Sequence, residues 1–539
     1  MNSGFARTGE LIRLILRLDR IKLSLWLIGV CFLIVITPIS LRAVTSTEAE
    51  TQGVTPEVVL AQQAVLVGNS GASVALQGPP DALDTFGGRY AFEIGAFTFA
   101  IIGLMNVLLI GRHTRAEEES GRAELVRAAS VGPWSSIAAV GIVAVAANLL
   151  IALVTTVVFS ADGLDPGRSF LFGAALGLCG MVFAAVALIW VQVFEYGRAA
   201  TGASLAVIAV AFALRAVGDV QENGLSYFSP IGWSQAINPF GDTVFWPLAV
   251  LLAAIAAAFG VAIMLVLRRD VGAGLIDQRP GPAAAAPSLL SAFGLAWRLQ
   301  RTTLAWWCIG IAFMSATYGS VLSEIESFVE EMESMRDVLE QMGMSGDAIR
   351  DGFLTLILSM IALIAGAGVI QSMLRPRGEE LAGRAEPVLA GHVSRTRWLG
   401  AHLLLSIVAA PVFMVIAGLS VVAADGAITG RMTDVGGVLG AALARTPALW
   451  AVAGVGVLLY GLAKEYTLGV WLAFAVTTFV FLFGELVRLP DMALNVSPLR
   501  HVTHLPGGDQ GATAIVVLTA IGLATFAGGM VMFTRRDVG

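Results

Sequence analysis

Twelve stretches of this 539-residue chain are free or nearly free of charge and long enough to cross a bilayer. They are residues 23–41, 94–111, 134–160, 169–193, 199–218 and 243–267 in the first half, and 302–323, 352–374, 398–424, 437–463, 466–487 and 510–534 in the second. About 20 helical residues span the roughly 30 Å of hydrocarbon. Only helices and closed barrels satisfy their backbone polar groups there. Long apolar runs without alternation indicate helices, so the expected fold class is an all-α polytopic membrane protein with twelve transmembrane helices, six per half. Composition agrees, since 13% of the residues are charged against about 25% in soluble domains. Arg215 in the fifth run and Glu485 in the eleventh lie toward outer ends, where snorkelling lowers the cost of a charge.

Charge asymmetry orients these runs. With the N-terminus inside, 23 of the 33 Lys and Arg fall on internal segments. Both chain termini are therefore expected in the cytoplasm. Residues 5–22 place Leu11, Leu14, Ile15 and Leu18 at helical spacing among Arg7, Arg13, Arg17 and Arg20. That pattern fits a helix lying in the headgroup plane. The run at 23–41 exceeds the about 7–15 residues of a signal-peptide core and is expected to be a retained first span.

A charged block occurs twice. Residues 115–124 read RAEEESGRAE and residues 377–386 read RGEELAGRAE. Each follows the second apolar run of its half and precedes the third. The repeat extends further. Residues 17–29 (RLDRIKLSLWLIG) align with 298–310 (RLQRTTLAWWCIG), and Glu195-Tyr196 with Glu465-Tyr466. Ser229-Pro230 followed by PFGD (239–242) aligns with Ser497-Pro498 followed by PGGD (506–509), and RRDVG at 268–272 with 535–539. Six runs is an even number, so the halves share one orientation, a parallel repeat. The expected divisions are 1–272, a Pro/Ala-rich cytoplasmic linker at 273–288, and 289–539.

Two external segments are long. Residues 43–89 read as mostly polar with turns at Gly78-Pro79-Pro80 and Gly87-Gly88. Residues 324–351 are acidic with apolar positions at helical spacing, as in an amphipathic cap or a solvated connector. The Ser-Pro segments fit short surface or re-entrant helices. Asn106 and Asn148, deep in their runs, fit interhelical hydrogen-bonders.

The chemistry that is missing narrows the function. The chain contains no GxxxxGK[ST] loop and no HExxH motif. Nothing marks a catalytic or metal centre; His501 and His504 are two histidines in a loop. The sequence pI of about 5.5 and the lack of a basic face exclude a nucleic-acid partner. Cys31, Cys179 and Cys308 all lie in apolar runs and form no disulfide framework. Few ionisable groups are candidates for a role at membrane depth: Glu93 near the outer start of the second span, Arg215 and Glu485 near outer ends, and His402 near the inner start of the ninth. A path with few charges suits amphipathic or hydrophobic cargo and an energy source outside the membrane part. In each charged block, Glu and Arg three or four apart, such as Glu118 and Arg122, would share one face of a short helix. Such a helix could dock on a cytosolic partner.

With these features in order, the sequence resembles the permease subunit of a type-2 ABC exporter, and more narrowly the actinobacterial polyketide-antibiotic (tetronasin-type) and multidrug exporter permeases. The resemblance covers the whole chain: interfacial helix, six spans, internal glutamate block, external helices between spans five and six, then all of it again. It implies two fused six-helix permease repeats in the bacterial plasma membrane. It also implies two copies of a separately encoded ABC ATPase subunit, which would carry the ATP and Mg; no cofactor is expected on this chain. The ATPase would dock on coupling helices carried over to Glu117, Glu118, Gly121, Arg122 and Glu124, and to Glu379, Glu380, Gly383, Arg384 and Glu386. Membrane lipid and a small-molecule cargo complete the implied partners. The alternatives are a lipid or cell-envelope exporter of the same class, a proton-coupled twelve-span carrier, and a membrane enzyme.

Overall fold

The computed structural model describes residues 4–537, apart from 69, 129–130, 133, 269–273, 277–282, 332–345, 430–433, 485–486, 488 and 503–510. Among these residues the chain is helical, with no strand and one isolated bridge between Phe194 and Ile276. It divides into two compact units, Met1–Pro280 and Gly281–Gly539.

Among the described residues, eleven helices are long and apolar enough to cross a membrane. The seventh expected run, 302–323, is the one not counted. It lies on the 40-residue helix Ala292–Glu331. In the first unit the helices Phe86–Glu119 and Pro166–Val193 are each 72% buried, against 17% for Lys22–Gln52 and 11% for Trp246–Val266. The second unit repeats the ranking, with 61% for Arg350–Leu381 and 67% for Val435–Leu462, against 17% for Tyr466–Phe483. The second and fourth spans therefore form the centre of each unit, and the others present apolar sides to lipid.

Lipid tails are as apolar as leucine, so close backbone approach and polar contacts hold such helices together. Gly173 sits against the Ala152 carbonyl, and Gly529 against the Val457 carbonyl. A Cβ at either glycine would overlap backbone. Deep in the first unit, Asn106 and Asn148 exchange side-chain hydrogen bonds. Asn106 Nδ2 donates to Asn148 Oδ1 at 3.1 Å, and Asn148 Nδ2 donates to Asn106 Oδ1 at 2.8 Å. The expected interhelical pairing is present, and it joins the second span to the third.

Two arginines behave differently from expectation. Arg215 does not snorkel: it is fully buried. Its guanidinium donates to the Val74 carbonyl (3.0 Å) and the Leu76 carbonyl (3.4 Å) in the short helix Gly71–Gln77, and faces Asp219 at 3.6 Å. It supplies donors to carbonyls that a helix end leaves open. Arg445, one of the ten cations that the charge count leaves on the outer side, is also fully buried. It stands between the helices Val435–Ala444 and Thr446–Leu462, which split the tenth run. Pro447 opens the second of these, and Arg445 donates to Ser359 Oγ at 3.1 Å and the Thr355 carbonyl at 3.0 Å.

The segment 43–89 is more ordered than its polar composition suggests. The first span continues to Gln52, and helices Pro56–Gly68 and Gly71–Gln77 follow. Of 324–351, residues 332–345 lie outside the described residues, as do Glu485, His504 and 506–509. The Ser-Pro motif is a helix start: the Ser229 hydroxyl accepts from the Ile231 and Gly232 amides, and Pro230 is the first residue of helix Pro230–Gln235. The N-terminal segment forms the amphipathic helix Thr8–Asp19, which packs by Ile15 and leaves Leu14, Leu16 and Leu18 exposed beside its arginines.

The asparagine pair carries the first prediction. Asn106→Leu strands the Asn148 amide in an apolar core and lowers stability by about 1 kcal/mol. The double variant Asn106→Leu/Asn148→Leu loses less than the sum of the two single changes. Thermal unfolding of the purified protein and its three variants, read as a double-mutant cycle, checks the coupling.

Candidate functional site

Each charged block continues the second span of its unit. In the first unit the helix Phe86–His113 passes through Thr114 into Arg115–Glu119, turns at Ser120-Gly121, and resumes as Arg122–Ala128. In the second, Gly346–Met373 passes through Leu374 into Arg375–Leu381, turns at Ala382-Gly383, and resumes as Ala385–Leu389. Gly121 and Gly383 are left-handed, with φ of 72° and 67°. Only glycine adopts that conformation without steric cost. Their amides close the turn on the Glu118 and Glu380 carbonyls, at 3.1 and 3.0 Å. This is the αL way of ending a helix.

The turn brings an arginine back over the helix it has just left. Arg122 Nε donates to Glu117 Oε2 at 2.8 Å, and Nη2 to Oε1 at 3.1 Å. Arg384 makes the same bidentate pair with Glu379, at 2.8 and 3.1 Å. The expected partner on a continuous helix was Glu118, four residues back. The glycine breaks that helix, and the pairing moves to Glu117, five residues back. Planar two-point arginine–carboxylate pairing is the strong form of such a contact. The hydrogen bond to the carboxylate raises both Arg122 and Arg384 above the ordinary arginine value, so both guanidiniums stay charged across physiological pH.

A second arginine in each block anchors it to the fourth span. Arg115, fully buried, donates from Nε to the Glu195 carbonyl at 2.6 Å, just past the helix Pro166–Val193. Arg377 donates from Nε to the Lys464 carbonyl at 2.8 Å, just past the helix Thr446–Leu462. A cation at the C-terminal end of a helix satisfies open carbonyls and meets the negative end of the helix dipole. In the first unit the Glu119 carboxylate also accepts from the Gly197 amide, at the start of the fifth span.

The anchors of the remaining glutamates differ. Glu118 pairs with Arg115 at 2.6 Å. Glu380 accepts from Tyr460 Oη at 2.7 Å and pairs with Arg536 at 2.6 Å, so its block is tied to the end of the last helix. The N-terminal helices make a matched pair of ties. Asp19 faces Arg112 at 2.7 Å and His113 at 2.6 Å. The aligned Gln300 instead meets His402 Nδ1 at 3.2 Å and accepts from Ser372 Oγ at 2.6 Å. These ties had no sequence signal beyond the alignment of Asp19 with Gln300.

Exposure divides the ten residues singled out by the sequence. Glu379 and Glu380 are buried, and Glu117 and Glu118 are half-buried. Arg122, Glu124, Gly383, Arg384 and Glu386 are exposed, and Gly121 partly so. Leu125 and Leu381 stand beside them at 75% and 54% exposure. The surface open to a partner is thus the glycine turn, its arginine and the second glutamate, while the first glutamates hold the turn in shape. His501 Nε2 is engaged by the Asn495 carbonyl at 3.0 Å, and no cluster of three or more metal-ligating side chains exists among the described residues.

Open space surrounds an added Cβ at Gly121 and Gly383, so substitution there tests backbone conformation alone. Gly121→Val or Gly383→Val lowers the unfolding midpoint by an amount equivalent to about 1–2 kcal/mol. Asn at the same positions is nearly neutral. Thermal unfolding of the purified variants checks the ordering.

A family model described as the C-terminal domain of the multidrug efflux system permease Rv1217c matches residues 289–534. The multidrug efflux system permease protein Rv1217c of Mycobacterium tuberculosis is 37% identical over 541 residues, which cover 99% of this chain and 96% of that protein. Similarity of this extent runs through both membrane units and both charged blocks, and the chain belongs to the Rv1217c family of multidrug efflux system permeases.

Proposed function

We propose that this chain is the membrane-spanning subunit of an ATP-driven ABC exporter that moves hydrophobic or amphipathic drugs out of a bacterial cell. Its twelve spans form two six-helix repeats of one orientation in the plasma membrane, with both termini and both charged blocks in the cytoplasm. Two copies of a separate ATPase, which carry the ATP and Mg, dock on the blocks. The observation that carries this reading is the repeated clip: the same arginine–glutamate pair, with the same two bond lengths, closed across a left-handed glycine in both units. The chain encodes no nucleotide-binding loop of its own. The relative's drug-efflux role supplies the cargo class.

The mechanism follows from the anchors. Each block is continuous with the second span and bonded by Arg115 or Arg377 to the end of the fourth. Those two spans are the most buried in their units. A push on the block moves them together, because the arginine–carbonyl bonds prevent sliding between them. The clip keeps the block from flexing and absorbing the push. ATP-driven closure of the partner subunits would draw the blocks together and open the path outward.

Glu124 and Glu386 are exposed and can be changed without disturbing the clips. The double variant Glu124→Lys/Glu386→Lys inserts normally but loses about tenfold or more in affinity for the ATPase, the effect of about 1.4 kcal/mol. Drug export falls with it. Co-purification with the ATPase and whole-cell efflux read the two effects; unimpaired pairing and export in a correctly inserted double variant would sink the docking surface. Collapse of the proton gradient at constant ATP leaves export running, and a proton-coupled carrier would stop.

A further inference from the structure

The second unit holds a cavity of about 1060 Å³ between its fourth span, the helix Gly469–Phe483 and the helix Gly511–Arg535. That is at the top of the about 300–1,000 Å³ range of ligand pockets. Its walls are aliphatic, with Val455, Leu472, Val476 and Ile521 among them. The segment bearing Asn495 and His501 closes one end. Among the described residues that line it there is no Asp, Glu, Lys or Arg.

The matching face of the first unit is packed. Aligned on Glu195 and Glu465, the fourth-span positions Ala451, Val452 and Val455 correspond to Met181, Val182 and Ala185. Those three are 9%, 3% and 0% exposed; of their counterparts, Ala451 is 6% and Val455 is 36% exposed. The two halves therefore differ at the position of Ala185 and Val455, which is closed in the first unit and open in the second.

We propose that this cavity binds the exported cargo, and that its cargo is a neutral amphiphile with a bulky apolar body and a hydrogen-bonding head. The inference rests on the exporter reading above and names its site and substrate class. The walls remove apolar surface from any aqueous or headgroup contact and offer no counter-ion to a charge, and a charge carried into such walls is expensive. Asn495, whose Oδ1 accepts from Arg500 Nη1 at 3.3 Å and leaves the amide Nδ2 as donor, and the imidazole of His501 are confined to one end, so the head is placed there and the body lies along the spans. Volume sets the upper size, and the absence of a paired charge in the lining discriminates against permanent cations.

The test compares two dyes in cells that express the complete transporter with its ATPase: Nile red, neutral and apolar with a carbonyl head, and ethidium, a permanent cation. Val476→Trp and Ala473→Phe fill the cavity and reduce Nile red efflux at least about fivefold. Leu482→Phe, on the same helix and outside the lining, leaves it unchanged and controls for added bulk. Asn495→Leu, which keeps the volume, weakens Nile red efflux and spares an alkyl-naphthalene probe without a hydrogen-bonding head. Native mass spectrometry of the purified chain reports whether filling the cavity expels a bound lipid. Wild-type export with unaltered Nile red efflux in both filled variants overturns the proposal, and lipid expulsion with export intact overturns it in favour of a structural lipid. Ethidium efflux equally sensitive to filling overturns the substrate class. Failure of the wild type to export either dye with a functional ATPase present overturns the exporter reading instead, a result separable from the others.

Discussion

Hydrocarbon offers no hydrogen-bond partner, so every polar atom this chain carries into the membrane must be answered by the chain itself. That constraint explains where its few deep polar residues stand. Asn106 and Asn148 answer each other across two spans. Arg215 and Arg445 answer carbonyls at places where helices end or break. A break such as the one before Pro447 is tolerable within a span only because a donor with several N–H groups sits beside it. Guanidinium suits this role better than ammonium, since its planar fork reaches two or three carbonyls at once.

The same logic shapes the charged blocks, one turn beyond the apolar runs. Each block must end one helix and begin another without leaving carbonyls open. The left-handed glycine closes the end with its own amide, and the arginine that follows folds back on the preceding glutamate. A second arginine reaches the carbonyls past the fourth span. Three local solutions to three open-carbonyl problems together join the two central helices of each unit. Stiffness at this place is thus a consequence of hydrogen-bond accounting in a poor solvent.

Most of the helical layout was legible because the constraint acts on composition: a span must be apolar, and apolar runs can be counted. The asparagine pair was legible for the same reason, since a deep amide has few other uses. Pairing within the blocks was not. A helical wheel places Glu118 beside Arg122, and it cannot register that Gly121 takes a positive φ and moves the contact to Glu117. Arg215 and Arg445 were misplaced because an arginine near the end of a run reads as an anchor reaching for water. Whether it points outward or inward depends on open carbonyls contributed by residues far away in sequence, Val74 in one case and Thr355 in the other. The helices of 43–89 were hidden because polar residues in them compete with turn signals at Gly78-Pro79-Pro80.

On the proposed reading, two identical clips stand on unequal foundations. The first block is flanked by the ionic tie of Asp19 to Arg112, with His113 Nε2 against the same carboxylate, and its Glu118 is held by its own Arg115. The second is flanked by the neutral chain from Gln300 to His402 and Ser372, and its Glu380 reaches Tyr460 and Arg536. Each block is thus joined to another helix by one ion pair, Asp19–Arg112 in the first and Glu380–Arg536 in the second, and separating such a pair exposes charge in a medium of low dielectric. The first pair reaches the N-terminal helix and the second reaches the last helix, so equal pushes on the two blocks would be passed to different neighbours. A dimer of identical chains could not hold this difference; a fused chain can.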